Sequence, residues 1–86
     1  MSMNMKERHP FKTDATLDTV GMLCPIPIYL TSKKIKELKT GEVLEVLSDD
    51  EGILTDIPSW CKATGNEIIN STHSKGVYCF YIRKIS

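Results

Sequence analysis

The sequence has no excess of either charge, no long apolar run and no closely spaced pair of cysteines. Its 86 residues include 11 basic and 11 acidic side chains, so no net field draws the chain to nucleic acid or to anionic lipid. The apolar runs are too short to cross a bilayer, and residues 1–10 lack the apolar segment of a signal peptide. These absences argue against direct nucleic-acid binding and membrane insertion, and they predict a cytoplasmic location.

The three cysteines, at positions 24, 61 and 79, form no Cys-x-x-Cys pair. Their odd number does not suit a secreted disulfide framework and indicates reduced, intracellular thiols. His9 and His73 add enough ligands for a zinc ion, but without the paired spacing of a zinc site. We therefore expect no metal and no cofactor.

Periodicity divides the chain into a tail and one small domain. Residues 1–12 follow no pattern and are predicted to be a disordered or frayed tail, and the domain is assigned to residues 13–86. Strands are predicted at 13–20, 42–47, 67–72 and 77–84, with helices at 25–39 and 52–64. Thr40-Gly41 is predicted to stop the first helix, and Pro58 is expected to start a new turn of the second helix or to kink it.

The predicted order βαβαββ indicates an α+β fold, a two-layer α/β sandwich. Because each helix connects two strands, both crossovers are expected to be right-handed, with the two helices on one face of a four-stranded mixed sheet. In the last strand Tyr78, Phe80 and Ile82 share one face, and Cys79 and Tyr81 point to the other. That other face is expected to be open to solvent or to a partner.

The segment Cys24-Pro25-Ile26-Pro27 lies where the first strand gives way to the first helix. Prolines suit a first helical turn, because the opening N–H groups have no partner to lose. The thiol of Cys24 is thereby predicted at the N-cap, facing free N–H groups and the positive end of the helix dipole. Such an environment favours thiolate and can lower a cysteine pKa to about 3.5–7.5. The alternative is an inert cysteine that only caps the helix.

Taken together, several blocks resemble the small TusA/SirA-like sulfur carrier proteins over residues 18–84. The resemblance is carried by Asp18, Gly21, Cys24-Pro25-x-Pro27, Lys33-Lys34, Gly41-Glu42-x-Leu44-x-Val46, Asp49-Asp50 and Asp56-Ile57-Pro58-x-Trp60-Cys61. It implies a persulfide on Cys24, with Pro25 and Pro27 as the frame that opens the helix. It also implies a donor protein of the cysteine desulfurase or rhodanese type and a downstream acceptor protein. The chain is then a carrier without turnover of its own, and a monomer or weak dimer is expected.

Other side chains allow two interpretations each. Lys33, Lys34 and Lys36 form either a partner-docking surface or an ordinary solvated helix face. Cys61 is either a buried apolar residue or a resolving thiol for Cys24, and Cys79 is interpreted as an incidental thiol on the open face.

Three further features are interpreted from their positions. Trp60 is either core or a cover over the helices, or a partner contact, and His73 is expected in a hairpin turn without a catalytic role. The acidic residues 49–51 lack the spacing of a calcium loop and are expected to solvate their loop and to bias the start of the second helix. The rival functions are a thiol redox protein and a regulatory interaction module. No base lies beside Cys24 in the sequence pattern, which indicates a carrier on which enzymes act.

Overall fold

The computed structural model describes residues 13–23 and 25–85, which form six elements. In chain order these are β1 (Ala15–Asp18), α1 (Ile26–Ile35), β2 (Val43–Ser48), α2 (Ile53–Thr64), β3 (Glu67–Ser74) and β4 (Val77–Arg83). The order βαβαββ is confirmed. The predicted tail at residues 1–12 lies outside the described residues.

The four strands form one mixed sheet in the order β1-β2-β4-β3. β1 pairs with β2 in parallel, as a strand–helix–strand unit requires, and β4 pairs antiparallel with both β2 and β3. Lys75 and Gly76, with φ of 53° and 78°, make a two-residue turn between β3 and β4. The turn is shorter than predicted, so that His73 lies within β3 and stacks on Tyr78 with ring centroids 4.2 Å apart.

Both helices cover the same face of the sheet, as predicted. The core combines side chains of α1 and α2 with the inward positions of β2 and β4; its buried members are Ile35, Leu44, Val46, Ile53, Ile57, Cys61, Phe80 and Ile82. On the far face a smaller cluster forms around Val43, Cys79 and Tyr81, against which Leu47 and Ile69 pack. Ile69 reaches this cluster through a register shift between Ile68 and Asn70.

Helix α1 is shorter than the predicted 25–39. It ends at Ile35, and the chain then tightens, with Glu37 N–H donating to the Lys34 carbonyl and Leu38 N–H to that of Ile35. Gly41, at φ 94°, serves the turn into β2 and does not stop the helix.

Helix α2 runs without interruption through Pro58, so no new helical turn begins there. Pro58 lies on the exposed side of the helix and has no N–H to donate to the carbonyl of Leu54. Leu54 is also exposed, so its carbonyl lies on the solvent side of the helix. Gly65, at φ 83°, ends the helix as predicted, with its N–H donating to the Cys61 carbonyl.

Candidate functional site

The opening of α1 lies at the edge of the sheet where the parallel strands β1 and β2 end. The helix begins at Ile26, and its N-cap is Pro25, with φ −96° and ψ 14° and no side-chain cap. The prediction that Cys24 is the N-cap is therefore wrong by one position, and Cys24 itself lies outside the described residues. Pro25 is exposed and Pro27 is buried in the first turn.

This opening turn has few backbone donors to offer. Pro25 and Pro27 carry no N–H, and the N–H of Ile26 donates to the carbonyl of Leu23 at 3.0 Å. Tyr29 N–H donates to the Pro25 carbonyl at 3.0 Å, four residues earlier. A helix normally opens with four backbone N–H groups that lack a partner within the helix. Here two of those positions are prolines and the N–H of Ile26 bonds to Leu23, which leaves the N–H of Ile28. Stabilisation of an anion here must therefore rely more on the helix dipole than on hydrogen bonds.

Two carboxylates hold the loop between β1 and α1. Asp49, just after β2, accepts the N–H of Gly21 at 2.9 Å, and Asp18 accepts the N–H of Val20 at 3.0 Å. Gly21 has φ 91°, a conformation that other residues rarely adopt. Asp49 is exposed in its loop, in keeping with the prediction, and its carboxylate also joins the ends of β1 and β2, which the prediction did not include. The only signal for this contact in the sequence is that Asp49 belongs to the segments that resemble the sulfur carrier family.

The surface on either side of Cys24 is apolar and exposed. Leu23 is 73% exposed and Tyr29 is 60% exposed. The other large apolar side chains exposed in this part of the chain are Val20, Met22 and Ile26. Such residues cost free energy in water and are typical of a surface that meets another molecule.

A groove lies between the start of α1 and one face of α2. It has a volume of about 410 Å³ and is lined by Pro25, Ile28, Asp56, Ser59 and Trp60. Trp60 is half-buried and packs against the core while lining this groove, so it covers the helix pair as one interpretation predicts. Sequence periodicity places Asp56, Ser59 and Trp60 on one side of α2 but does not show that Pro25 faces them.

The three lysines proposed for docking have different surroundings. Lys33 is exposed, with its Nζ 5.6 Å from the centre of the Tyr29 ring. Lys34 forms an exposed ion pair with Glu37 at 3.3 Å, and Lys36 lies beyond α1 as its C-cap. The first two belong to the last turn of the helix, where positive charge complements the dipole.

The two described thiols are both buried. Cys61 is 4% exposed within the core, and burial raises its pKa to about 11. Cys79 is 5% exposed, and its pKa is likewise raised to about 11, chiefly by burial and also by the negative charge of Glu45. Burial of Cys61 was one of its two predicted interpretations. Cys79 does lie on the face opposite the helices, but the expectation of an open, incidental position is wrong.

Cys79 is enclosed by a polar network across three strands. The carboxylate of Glu45 accepts hydrogen bonds from Tyr81 Oη and Thr16 Oγ1, each at 2.9 Å, and Cys79 Sγ lies 3.5 Å from it. Burial and these contacts also raise the pKa of Tyr81. The alternation of β4 assigns Cys79 to this face, but only the pairing of β1, β2 and β4 shows what surrounds it.

Comparison with known proteins identifies the family. The family model described as Sulfurtransferase TusA matches residues 15–84. The chain belongs to the TusA family. The match includes every strand and helix described above, together with the opening of α1 and the groove.

Several relatives of this TusA-family chain are known by name. Sulfur carrier protein TusA of Pseudomonas entomophila is 39% identical over 83% of this chain and 89% of its own length. The protein of that name from Pseudomonas syringae is 36% identical, over 85% of this chain and 87% of its own length. A relative from Aquifex aeolicus is 40% identical over 87% of this chain, which spans 38% of that longer protein.

The fold of the family is also seen in a crystal structure. The SirA-like protein from Desulfitobacterium hafniense superposes with a TM-score of 0.73 at 26% identity, covering 84% of this chain and 99% of the other. The two-layer sandwich predicted for this TusA-family chain is thus confirmed.

Neither a metal centre nor a membrane span is found in the described part of this TusA-family chain. Residues 13–23 and 25–85 contain no group of three or more His, Cys, Asp or Glu side chains that could hold a metal ion. Within the same ranges no helix has both the length and the apolar character needed to cross a membrane.

Proposed function

We propose that this chain carries sulfur as a persulfide on Cys24, receiving it from a donor protein and passing it to an acceptor protein. Membership of the TusA family and the names of the Pseudomonas relatives support a sulfur carrier role. The observation that carries the assignment to Cys24 is the burial of the other two thiols, Cys61 and Cys79, whose pKa values are raised to about 11. Burial makes them inaccessible to a partner and disfavours their thiolate forms, which supports Cys24 as the site of exchange.

In the proposed loading step, the thiolate of Cys24 attacks the outer sulfur of a donor persulfide. A new S–S bond forms to Cys24, the S–S bond of the donor breaks, and the donor leaves as its thiolate. The outer sulfur keeps its proton as it moves to Cys24, so that Cys24–S–SH results. No external oxidant or reductant is needed. Delivery repeats the same exchange, with a thiolate of the acceptor attacking the outer sulfur on Cys24.

The surroundings of Cys24 suit exchange between two proteins. The exposed side chains of Leu23, Ile26 and Tyr29 offer an apolar surface for a partner. Lys33, Lys34 and Lys36 add positive charge further along the same segment, which supports docking of an acidic partner surface. The proposed donor is of the cysteine desulfurase or rhodanese type, and the chain has no turnover of its own.

Mass spectrometry tests the assignment directly. The purified chain is incubated with polysulfide, weighed intact and mapped by peptide analysis, in parallel with Cys24→Ser and Cys79→Ala. We expect sulfur atoms to be added at Cys24 in the wild type and in Cys79→Ala, to be removed by reductant, and to be absent from Cys24→Ser. A disulfide from Cys24 to Cys61 or Cys79 would instead favour a thiol redox protein. An unmodified Cys24 would leave the interaction module as the better explanation.

A further inference from the structure

The groove between α1 and α2 contains one charged group among apolar walls. Pro25, Ile28 and Trp60 supply the apolar surface, and Asp56 supplies a carboxylate on the α2 side. Asp56 is half-buried, and no hydrogen bond or ion pair joins its side chain to another residue within 13–23 or 25–85. Asp56 lies in the first turn of α2, and its negative charge beside the apolar walls makes the groove complementary to an occupant that brings a positive charge.

We propose that this groove receives an arginine side chain of the protein that exchanges sulfur with Cys24, a proposal that rests on the carrier function proposed above. A guanidinium group can donate two N–H hydrogen bonds to the two oxygens of a carboxylate, and it can stack on an indole face. Its aliphatic stem fits the apolar wall of Ile28 and Pro25. Asp56 and Trp60 provide these two complementary surfaces in one groove.

Other occupants match this groove less well. An acidic side chain would be repelled by Asp56, and a purely apolar one would desolvate that carboxylate without compensation. A lysine ammonium is a compact, strongly hydrated charge that gains less from an aromatic wall. The charge and the aromatic surface together therefore select arginine.

The groove lies next to the proposed sulfur site. Pro25 lines the groove and is bonded directly to Cys24. An arginine held there fixes the partner next to the sulfur site and restricts the approach of its thiol. The contact thus acts as a specificity determinant for which proteins exchange sulfur with this chain.

Small mimics of side chains test the groove without knowledge of the partner. Butylguanidinium, butylammonium and butyrate are titrated into the full 15N-labelled chain, with the indole N–H of Trp60, its single tryptophan, and the amide of Asp56 as reporters. We expect saturable shifts with butylguanidinium, weaker binding of butylammonium and no binding of butyrate. Equal binding of butyrate, or no response to butylguanidinium, would overturn the proposal.

Two variants separate the groove from general charge effects. Asp56→Asn keeps the shape and removes the charge, and we expect butylguanidinium to bind about fivefold or more weakly. Glu51→Gln removes a charge from the exposed turn before α2 without touching the groove, and its binding is expected to stay within about twofold of the wild type. Equal loss in both variants, or no loss in Asp56→Asn while its thermal melt is unchanged, contradicts the proposal. Polysulfide loading of Cys24, measured separately, decides the carrier function whatever the groove binds.

Discussion

Removing Cys24 isolates the two buried thiols and allows a quantitative test of their inertness. In Cys24→Ser the remaining cysteines are Cys61, in the core, and Cys79, in the network on the far face. Each has its pKa raised from 9.0 to about 11. A shift of this size lowers the thiolate fraction near pH 8 from about one in ten to about one in a thousand.

The magnitude follows from this loss of thiolate and from burial. Alkylation requires the thiolate, so the shift alone slows the reaction about 100-fold, and side chains that are 4% and 5% exposed slow it further. Between pH 7 and 9.5 the rate should rise about tenfold per pH unit, because the thiolate fraction does so well below the pKa.

Time-resolved alkylation with iodoacetamide measures these rates. Samples of Cys24→Ser are quenched at intervals and weighed, once under native conditions and once in guanidinium chloride, and peptide mapping assigns each label. We expect both native rates to be at least about 100-fold below the denatured rates. If either thiol is alkylated natively within tenfold of its denatured rate, the reasoning that leaves Cys24 as the single reactive sulfur is refuted.

Three further predictions concern stability and the loop before α1. Between about pH 9 and 11 the folded state keeps both thiol protons while the unfolded state loses them, so the free energy of unfolding falls as pH rises. Urea titrations should show a free energy of unfolding lower at pH 10 than at pH 8 by about 1 kcal/mol per thiol. In Cys61→Ala, which lacks one of the two thiols, this decrease should be smaller by about 1 kcal/mol. In Asp49→Ala the amide of Gly21 loses its acceptor, and its hydrogen exchange should accelerate about fivefold; unchanged protection would show that the bond contributes nothing. Gly21→Ala should cost about 1–2 kcal/mol by urea unfolding, since φ is 91° and no atom lies within 4 Å of the added carbon, whereas D-alanine introduced there by chemical synthesis should cost nothing.

The fold was predictable because each element has a clear apolar pattern. The far end of α1 was not, and Leu38 shows why. Its side chain packs against the core from the turn after the helix, so that the apolar spacing continues although the helix has ended at Ile35. Periodicity reports which residues face the core and not which hydrogen bonds connect them.

The candidate site was predictable in its residues but not in its contacts. The prolines mark where α1 opens, yet the N-cap is set by the turn that joins Ile26 to Leu23. The bond from Gly21 to Asp49 and the groove between Pro25 and Asp56 join residues that are about 30 positions apart in the chain. Such contacts depend on how β2 and α2 are placed beside α1, and local sequence patterns do not predict that placement.

The placement of β4 has a consequence for the order of folding. β4 is the last of the described strands along the chain, yet it lies between β2 and β3 and pairs with both. During synthesis on the ribosome, β2 therefore has one unpaired edge, and β3 has no strand partner, until residues 77–83 have emerged. Until then the nascent chain exposes edges on which other chains could assemble, and a pause in translation ahead of β4 would prolong that exposure.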